Sequence, residues 1–319
     1  MKFRFWSPKF KIKRASHRLR GQVLAGALNE LGYTAEANHE PLENIGPDTV
    51  VVFLKGSTPD QIQTARLRGA FTIYDLCDNK FDEKSEYTPC CAAADLITVN
   101  TPQMGASVHQ HTGLGSAVIP DPAERPTLTP HFNPGRDIRL LWFGNVSSLK
   151  FVPLSDIWAQ LEKHIGNYEF TLCTGDTERI RTKMHSRVMR NQIRGVNLNR
   201  IRYVEWTWET QGQELERTDI VFIPVVNVNY RTDTKSANRV IDSLVSGRYV
   251  ITTPLASYTE FAPYTWQRDS IAGIQWSRQH PSAVLDQISR GQQYAIENYS
   301  AKQIATKLVE TINAARARG

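Results

Sequence analysis

Short apolar runs alternate with segments of helical periodicity twice along this chain, and a proline-rich stretch separates the two series. In the first series the apolar runs fall at residues 3–6, 34–37, 49–54, 71–76, 96–99 and 117–119, with helical patterns at 23–31, 61–68, 87–94 and 101–108. In the second they fall at 138–143, 170–173, 201–204, 220–225 and 249–252, with helices at 154–161, 209–216, from Ser236 to Gly247, 282–297 and 300–315. Between 261 and 282 no regular pattern is legible. Runs that are apolar on both faces belong to strands covered on both sides, and strands separated by helices pair in parallel. The alternation therefore specifies α/β folding, twice over. The separating stretch, PDPAERPTLTPHFNPG, holds Pro120, Pro122, Pro126, Pro130 and Pro134 plus Gly135, and suits neither helix nor strand. The expected division is a first domain over 1–121, a linker over 122–135 and a second domain over 136–299. A terminal helix follows over 300–319.

Charge is the next constraint. The formal net charge is +6, and eight Lys or Arg residues lie between Lys2 and Arg20 with no acidic residue before Glu30. Trp6, Phe3, Phe5 and Phe10 are interleaved with them. A second basic run comprises Arg179, Arg181, Lys183, Arg187, Arg190, Arg194, Arg200 and Arg202. Such stretches attract phosphate-rich partners, whether anionic lipid headgroups, a lipid-linked acceptor or nucleic acid, or they remain solvated and aid solubility. No apolar run approaches the roughly 20 residues that span a bilayer. The N-terminus lacks the apolar core and small-residue cleavage site of a signal peptide. A cytoplasmic chain is expected, with room for peripheral contact at the inner membrane surface. Cys77, Cys90, Cys91 and Cys173 show no CxxC pairing and read as buried thiols, while His109 and His111 alone make a weak metal signal.

Candidate site residues cluster at the ends of the apolar runs. Lys235, Ser236, Asn238 and Arg239 open the helix that ends at Gly247, where free backbone N–H groups beside two cations suit a diphosphate. Asp242, one turn on, is placed to accept hydrogen bonds from sugar hydroxyls. Arg18, Arg20 and Gly21 lie in a segment, Ser16 to Gly21, read as a loop before a helix; it holds a phosphate or anionic acceptor, or merely extends the basic surface. Asp75 and Asp78 follow the run at 71–76, where open α/β sheets place ligands. Each is a candidate general base or a turn cap.

The segment KSANRVIDSLVSGRYVITTPLASYTEF, from Lys235 to Phe261, resembles the donor site of GT-B glycosyltransferases. There a helix carrying an acidic residue precedes a small-residue and glycine turn and an apolar strand. In many retaining members two glutamates separated by seven residues bind the donor, the second holding the ribose. The second position is Asp242 here and the first is Thr234, which carries no carboxylate; Lys235 and Asn238 take over part of that work. The resemblance implies two Rossmann-like domains facing a cleft, with the terminal helix packing back on the first. It implies a nucleotide-diphosphate sugar as donor substrate and no separate cofactor; a metal is unnecessary if the cations stabilise the departing diphosphate, and the chain offers no convincing DxD motif. Gly144, Asn145 and Lys150 would meet the diphosphate. Trp206 would stand beside the base or in the core rim, Lys235 would stabilise the leaving group, and Asp75 or Asp78 would assist the acceptor. The implied function is glycosyl transfer to a hydroxyl-bearing acceptor in polysaccharide, glycolipid or other glycoconjugate synthesis. Two alternatives stay open: glycosylation of modified bases in DNA, and a catalytically silent GT-B-like binding module.

Overall fold

The computed structural model describes residues 1–135, 137–184, 186, 195–225 and 233–318, so Arg187, Arg190 and Arg194 of the second basic run lie outside the described residues. The chain divides into two compact units. Unit 1 is discontinuous in sequence, comprising Met1–Glu124, Asn229–Asn238 and Glu297–Gly319, and unit 2 comprises Arg125–Val228 and Arg239–Ile296.

Unit 1 is built on strands β1 (Lys2–Trp6), β2 (Thr34–Asn38), β3 (Thr49–Phe53), β4 (Phe71–Leu76), β5 (Leu96–Val99) and β6 (Ala117–Val118). They form one parallel sheet in the order β2-β1-β3-β4-β5-β6. All five residues of β3 are buried, as a Val-rich strand covered on both faces must be. At the edge, β2 is polar, and its Glu36 meets Arg4 of β1 at 2.6 Å. Trp6, Phe53, Tyr74, Tyr87 and Met104 centre the core of this unit.

Residues 16–21, expected to be a loop, are helical. Ala15–His17 makes one α-turn (α1), Arg18–Val23 continues as a π-helical turn, and α2 runs over Leu24–Glu30. A Cβ at Gly21 would stand 3.0 Å from the Phe10 ring and 3.2 Å from Leu54, so this glycine is there to let the turn pack against the segment after β1. The remaining helices of unit 1 are α3 (Pro59–Leu67), α4 (Tyr87–Ala93) and α5 (Pro102–Thr112). The last helix of the chain, α12 (Ala301–Arg316), buries Ile304, Leu308 and Ile312 and packs against α2.

Unit 2 repeats the plan with β7 (Ile138–Phe143), β8 (Tyr168–Thr174), β9 (Ile201–Glu205), β10 (Ile220–Ile223) and β11 (Tyr249–Thr252), parallel in the order β11-β10-β7-β8-β9. The helices are α6 (Leu154–His164), α7 (Thr177–Met184), α8 (Trp208–Arg217), α9 (Asn238–Val245), α10 (Ser270–Gln279) and α11 (Pro281–Tyr299). The stretch that looked irregular in sequence holds the end of a 3-10 segment, Ala256–Tyr264, and the whole of α10. Pro263 and Gly273 interrupt its periodicity. Gly273 is indispensable to the packing, since a Cβ there would fall 2.6 Å from the Trp266 ring.

The proline-rich stretch has no regular secondary structure from Arg125 to Gly135, yet it is fastened to unit 2. Arg248 is 3% exposed and donates to the carbonyls of Thr129, Leu215, Glu216 and Gly247, so it caps the end of α8 and holds the strap at once. Gln292 donates to Leu128 and Val245 at 2.7 Å each. Pro130 lies directly on Gly247, which ends α9 at φ +61. A Cβ at 247 would stand 2.9 Å from Pro130 Cα and 3.0 Å from Pro130 N and Gln292 Nε2. Gly247→Ala is therefore expected to lose about 2–4 kcal/mol of stability, from a left-handed backbone and an overpacked contact together. Urea unfolding checks this, and a loss below ~1 kcal/mol would show that the strap yields freely.

Candidate functional site

In an open parallel sheet, ligands gather beyond the carboxyl ends of the strands where the strand order reverses. In unit 2 that point lies between β7 and β10. Gly144 follows β7 immediately. A Cβ on it would stand 3.2 Å from the Trp142 ring and 3.5 Å from Arg239 Nη1, so the absence of a side chain here lets both groups pack close over the end of the strand. Arg239 belongs to the first turn of α9 and reaches back over β7. Its Nη1 donates to the Phe143 carbonyl at 3.4 Å, and its guanidinium carbon lies 5.8 Å from the Trp142 ring centre. The fold thus joins Gly144 and Arg239, which are 95 residues apart by subtraction of their numbers, into one cationic corner.

The neighbouring candidates take varied places. Asn145 is exposed and its Oδ1 accepts the Ser147 N–H at 2.8 Å, capping the 3-10 turn Val146–Phe151. Lys150 is exposed, with Nζ 4.9 Å from the Phe151 ring centre. Trp206 is half-buried just past β9; its Nε1 donates to Gln211 at 2.7 Å. Asp242 lies in the buried body of α9, 2% exposed. Next to Trp206, Glu205 does more than the sequence indicated. Its carboxylate accepts the N–H groups of Asp176 and Thr177 at 3.0 Å each and the Thr177 hydroxyl at 2.8 Å. These bonds, led by those from Thr177, pull its pKa below the ordinary carboxylate value. They hold the turn after β8, where Asp176 sits at φ +60. The Gly175-Asp176-Thr177 sequence marks a tight turn, but nothing local says which residue braces it.

In unit 1 the predicted residues gather inside the fold. Arg20 is 2% exposed, and its guanidinium meets both Asp75 oxygens, Asp121 Oδ1 at 3.4 Å and the Ile119 carbonyl. Asp75 also accepts the Thr98 hydroxyl at 2.7 Å. Burial raises the Asp121 pKa despite the adjacent guanidinium. The Asp121 carboxylate also accepts the Ser236 hydroxyl at 2.5 Å, and Ser236 Oγ in turn lies 3.4 Å from the Asn238 N–H. Ser236, which belongs to unit 1, is thereby pinned to this buried cluster. Arg18 pairs with Glu124 through Nε and, at 2.8 Å, through Nη2. Hence Arg18 and Arg20, expected to hold an external anion, serve internal carboxylates, because the helical turn points them inward. Lys235 is half-buried beside Ser236, and Asp78, 43% exposed, pairs with Lys55. Thr234 is buried, its carbonyl accepting the Thr101 hydroxyl at 3.2 Å.

His17 is a buried histidine that sequence reasoning passed over. Its Nδ1 accepts the Lys11 N–H at 2.8 Å and its ring stacks on Phe10 with centroids 5.1 Å apart. Burial, helped by the Arg14 charge, lowers its pKa to about 4 from the usual 6.5. The folded state therefore keeps it neutral while the unfolded chain takes up a proton, and stability falls as pH drops from 6.5 towards 4. The loss attributable to His17 is roughly 3 kcal/mol. Urea midpoints between pH 7.5 and 4.5, compared with His17→Gln, isolate it; parallel curves for the two proteins would refute it.

The four cysteines are free thiols; burial raises the pKa of Cys90 to about 11 and of Cys91 and Cys173 to about 12. Among the described residues no three His, Cys, Asp or Glu side chains group as a metal site, and no helix is long and apolar enough to cross a membrane. His109 and His111 sit two apart on α5, which points them to different faces, and His111 stacks on Phe81 instead.

No protein-family model matches the sequence, and no curated protein sequence does. Solved structures do. HepE from Anabaena, in complex with UDP-glucose, matches with a TM-score of 0.70 at 14% identity, over 98% of this chain and 100% of its own. The lipopolysaccharide outer core galactosyltransferase WaaB, in its apo form, gives 0.65 at 10% identity over 98% and 99%. This chain has the GT-B fold. The pneumococcal O-GlcNAc transferase GtfA, in complex with UDP and GlcNAc, gives 0.61 at 11% identity over 85% of this chain and 58% of its own. At such identities the likeness establishes fold alone. In a GT-B chain the two sheets are Rossmann-like, and the Gly144–Arg239 corner stands at the reversal point of the second.

Proposed function

We propose that the chain is a glycosyltransferase that moves a sugar from a nucleotide-diphosphate donor to a hydroxyl of an acceptor glycan or glycolipid. The observation that carries this is the Gly144–Arg239 corner at the carboxyl edge of β7, where bare backbone and a guanidinium stand together. The GT-B neighbours support it, one having been solved with UDP-glucose and another with UDP and GlcNAc. In the reaction, the bond between the anomeric carbon and the β-phosphate oxygen breaks, and its electron pair leaves with the nucleoside diphosphate. The acceptor oxygen forms the new bond, and its proton passes to a carboxylate. Arg239, Lys235 and Lys150 stabilise the charge growing on the diphosphate, aided by the N-terminus of α9, without calling on a metal ion. Asp242 holds the ribose and Trp206 walls the base. Of the two acceptor-side candidates, Asp78 receives the proton, since both oxygens of Asp75 are engaged by Arg20.

The N-terminal basic run weighs against a duplex track. Lys2, Arg4, Arg18 and Arg20 are spent on Asp48, Glu36, Glu124 and Asp75, which leaves fewer cations for phosphates. Thermal unfolding against a panel of nucleotides and nucleotide sugars tests the proposal. A donor at 100 times its dissociation constant adds about 2.7 kcal/mol. One nucleoside diphosphate should raise the melting temperature, Lys235→Ala and Arg239→Ala should abolish the rise, and turnover should survive excess chelator. No rise with any member of the panel would favour a silent binding module.

A further inference from the structure

Unit 1 carries an open pocket of about 440 Å³ along one side of α5, at the carboxyl edge of the sheet beyond β4 and β5. Gln103 and Gln110 line it from α5, Asn79 and Asp82 from the segment after β4, and Asp233 from beside Thr234. His111 closes one end. Its ring lies flat on Phe81, with centroids 4.5 Å apart and planes within 7°, and Nδ1 contacts the Ser107 carbonyl at 2.8 Å. The imidazole is thus fixed as a platform, while Phe81 is partly buried and packs against the core. Gln103 Oε1 is buried without a partner in this wall.

The chemistry of the lining is selective. Two carboxylates offer only acceptors, and three amides offer donors and acceptors in fixed forks, which is what a ring of hydroxyls, each donor and acceptor, requires. Among the described residues no lysine or arginine lines the pocket. Lys80 and Lys84 in the same segment are paired with Glu83 and Glu86. An anionic group entering here would meet the carboxylates of Asp82, which His111 Nε2 faces at 3.9 Å, and Asp233, so the described lining favours hydroxyls over phosphate.

We infer that this pocket binds an uncharged sugar ring of the acceptor, with Asp233, Asp82 and the amides of Gln103, Gln110 and Asn79 on its hydroxyls and His111 under its flat face. The assignment of the ring to the acceptor rests on the glycosyl-transfer proposal; the binding of an uncharged ring does not. Any phosphate or lipid on the acceptor then lies outside this pocket, and nucleic acid is not its occupant.

The test is saturation-transfer NMR titration of the full chain with methyl glycosides of glucose, galactose and N-acetylglucosamine, each beside its 6-phosphate. Binding of the panel of nucleoside diphosphates is followed in parallel by thermal shift. At least one neutral glycoside should bind saturably and at least ten-fold tighter than its phosphate. Gln103→Ala and Asp233→Ala should each weaken it ten-fold or more while leaving far-UV circular dichroism and the nucleotide shift unchanged. Failure of every neutral glycoside, tighter binding of the phosphates, or indifference to both substitutions would overturn the assignment. If those results come with a normal nucleotide shift, the pocket inference fails alone; absence of a shift with every nucleoside diphosphate of the panel counts against the glycosyltransferase proposal.

Discussion

Arg20→Met is expected to lower the stability of unit 1 by about 3–5 kcal/mol, the range for breaking a buried ion pair from one side. The reason is what stays behind. Asp75 and Asp121, 5% and 6% exposed, would face each other across an apolar side chain with no cation between them. Asp121, whose pKa burial already raises, would take up a proton at higher pH, so the loss should ease as pH falls. Urea unfolding of the full chain at pH 7.5 and 5.0 measures both effects. The triple change of Arg20→Met, Asp75→Asn and Asp121→Asn should recover part of the loss, because no unpaired charge remains. A cost below ~1 kcal/mol for the single variant, typical of surface pairs, would mean that water reaches the cluster. Because Asp121 also holds Ser236, the single variant should additionally weaken nucleotide binding if the α9 segment forms the donor site.

The second large effect concerns chemistry. With the glycosyl-transfer proposal, Arg239→Ala should reduce kcat/KM by about 10²–10³, the usual effect of deleting one preorganised partner of a developing anion. Arg239→Lys retains a charge but lacks the planar fork, so it should recover only part of the activity. Steady-state kinetics with the donor found by thermal shift reads this directly. Wild-type activity in Arg239→Ala would remove this corner from the reaction. A fall in stability above ~2 kcal/mol would reassign the loss to folding, since Arg239 also donates to the Phe143 carbonyl.

Much of the architecture was legible residue by residue. The Val-rich run at 49–54 is β3, the run at 138–143 is β7, and Gly32 stops α2 in the left-handed conformation. These elements are written locally, because a doubly covered strand needs consecutive apolar residues and a helix end needs a residue tolerant of positive φ. α10 escaped because Gly273, demanded by the Trp266 ring, breaks its apolar face. The helical turn at 16–21 escaped because its many cations look like a surface loop until Asp75, Asp121 and Glu124 are known to face them.

For the candidate site the division is sharper. A helix start rich in Lys and Arg can be read from sequence, as can a glycine after a strand. That Gly144 and Arg239 meet, that Glu205 braces the turn after β8, and that Ser236 is tied to Asp121 cannot be read, because no local pattern encodes the partner of a side chain. The sequence by itself determined the alternation of strand and helix, and with it two parallel sheets, since periodicity and apolar runs are properties of neighbours along the chain. The tertiary structure alone decided which charges turn inward to pair and which line an open pocket, because burial and Coulomb energy depend on distances in space between residues far apart in number.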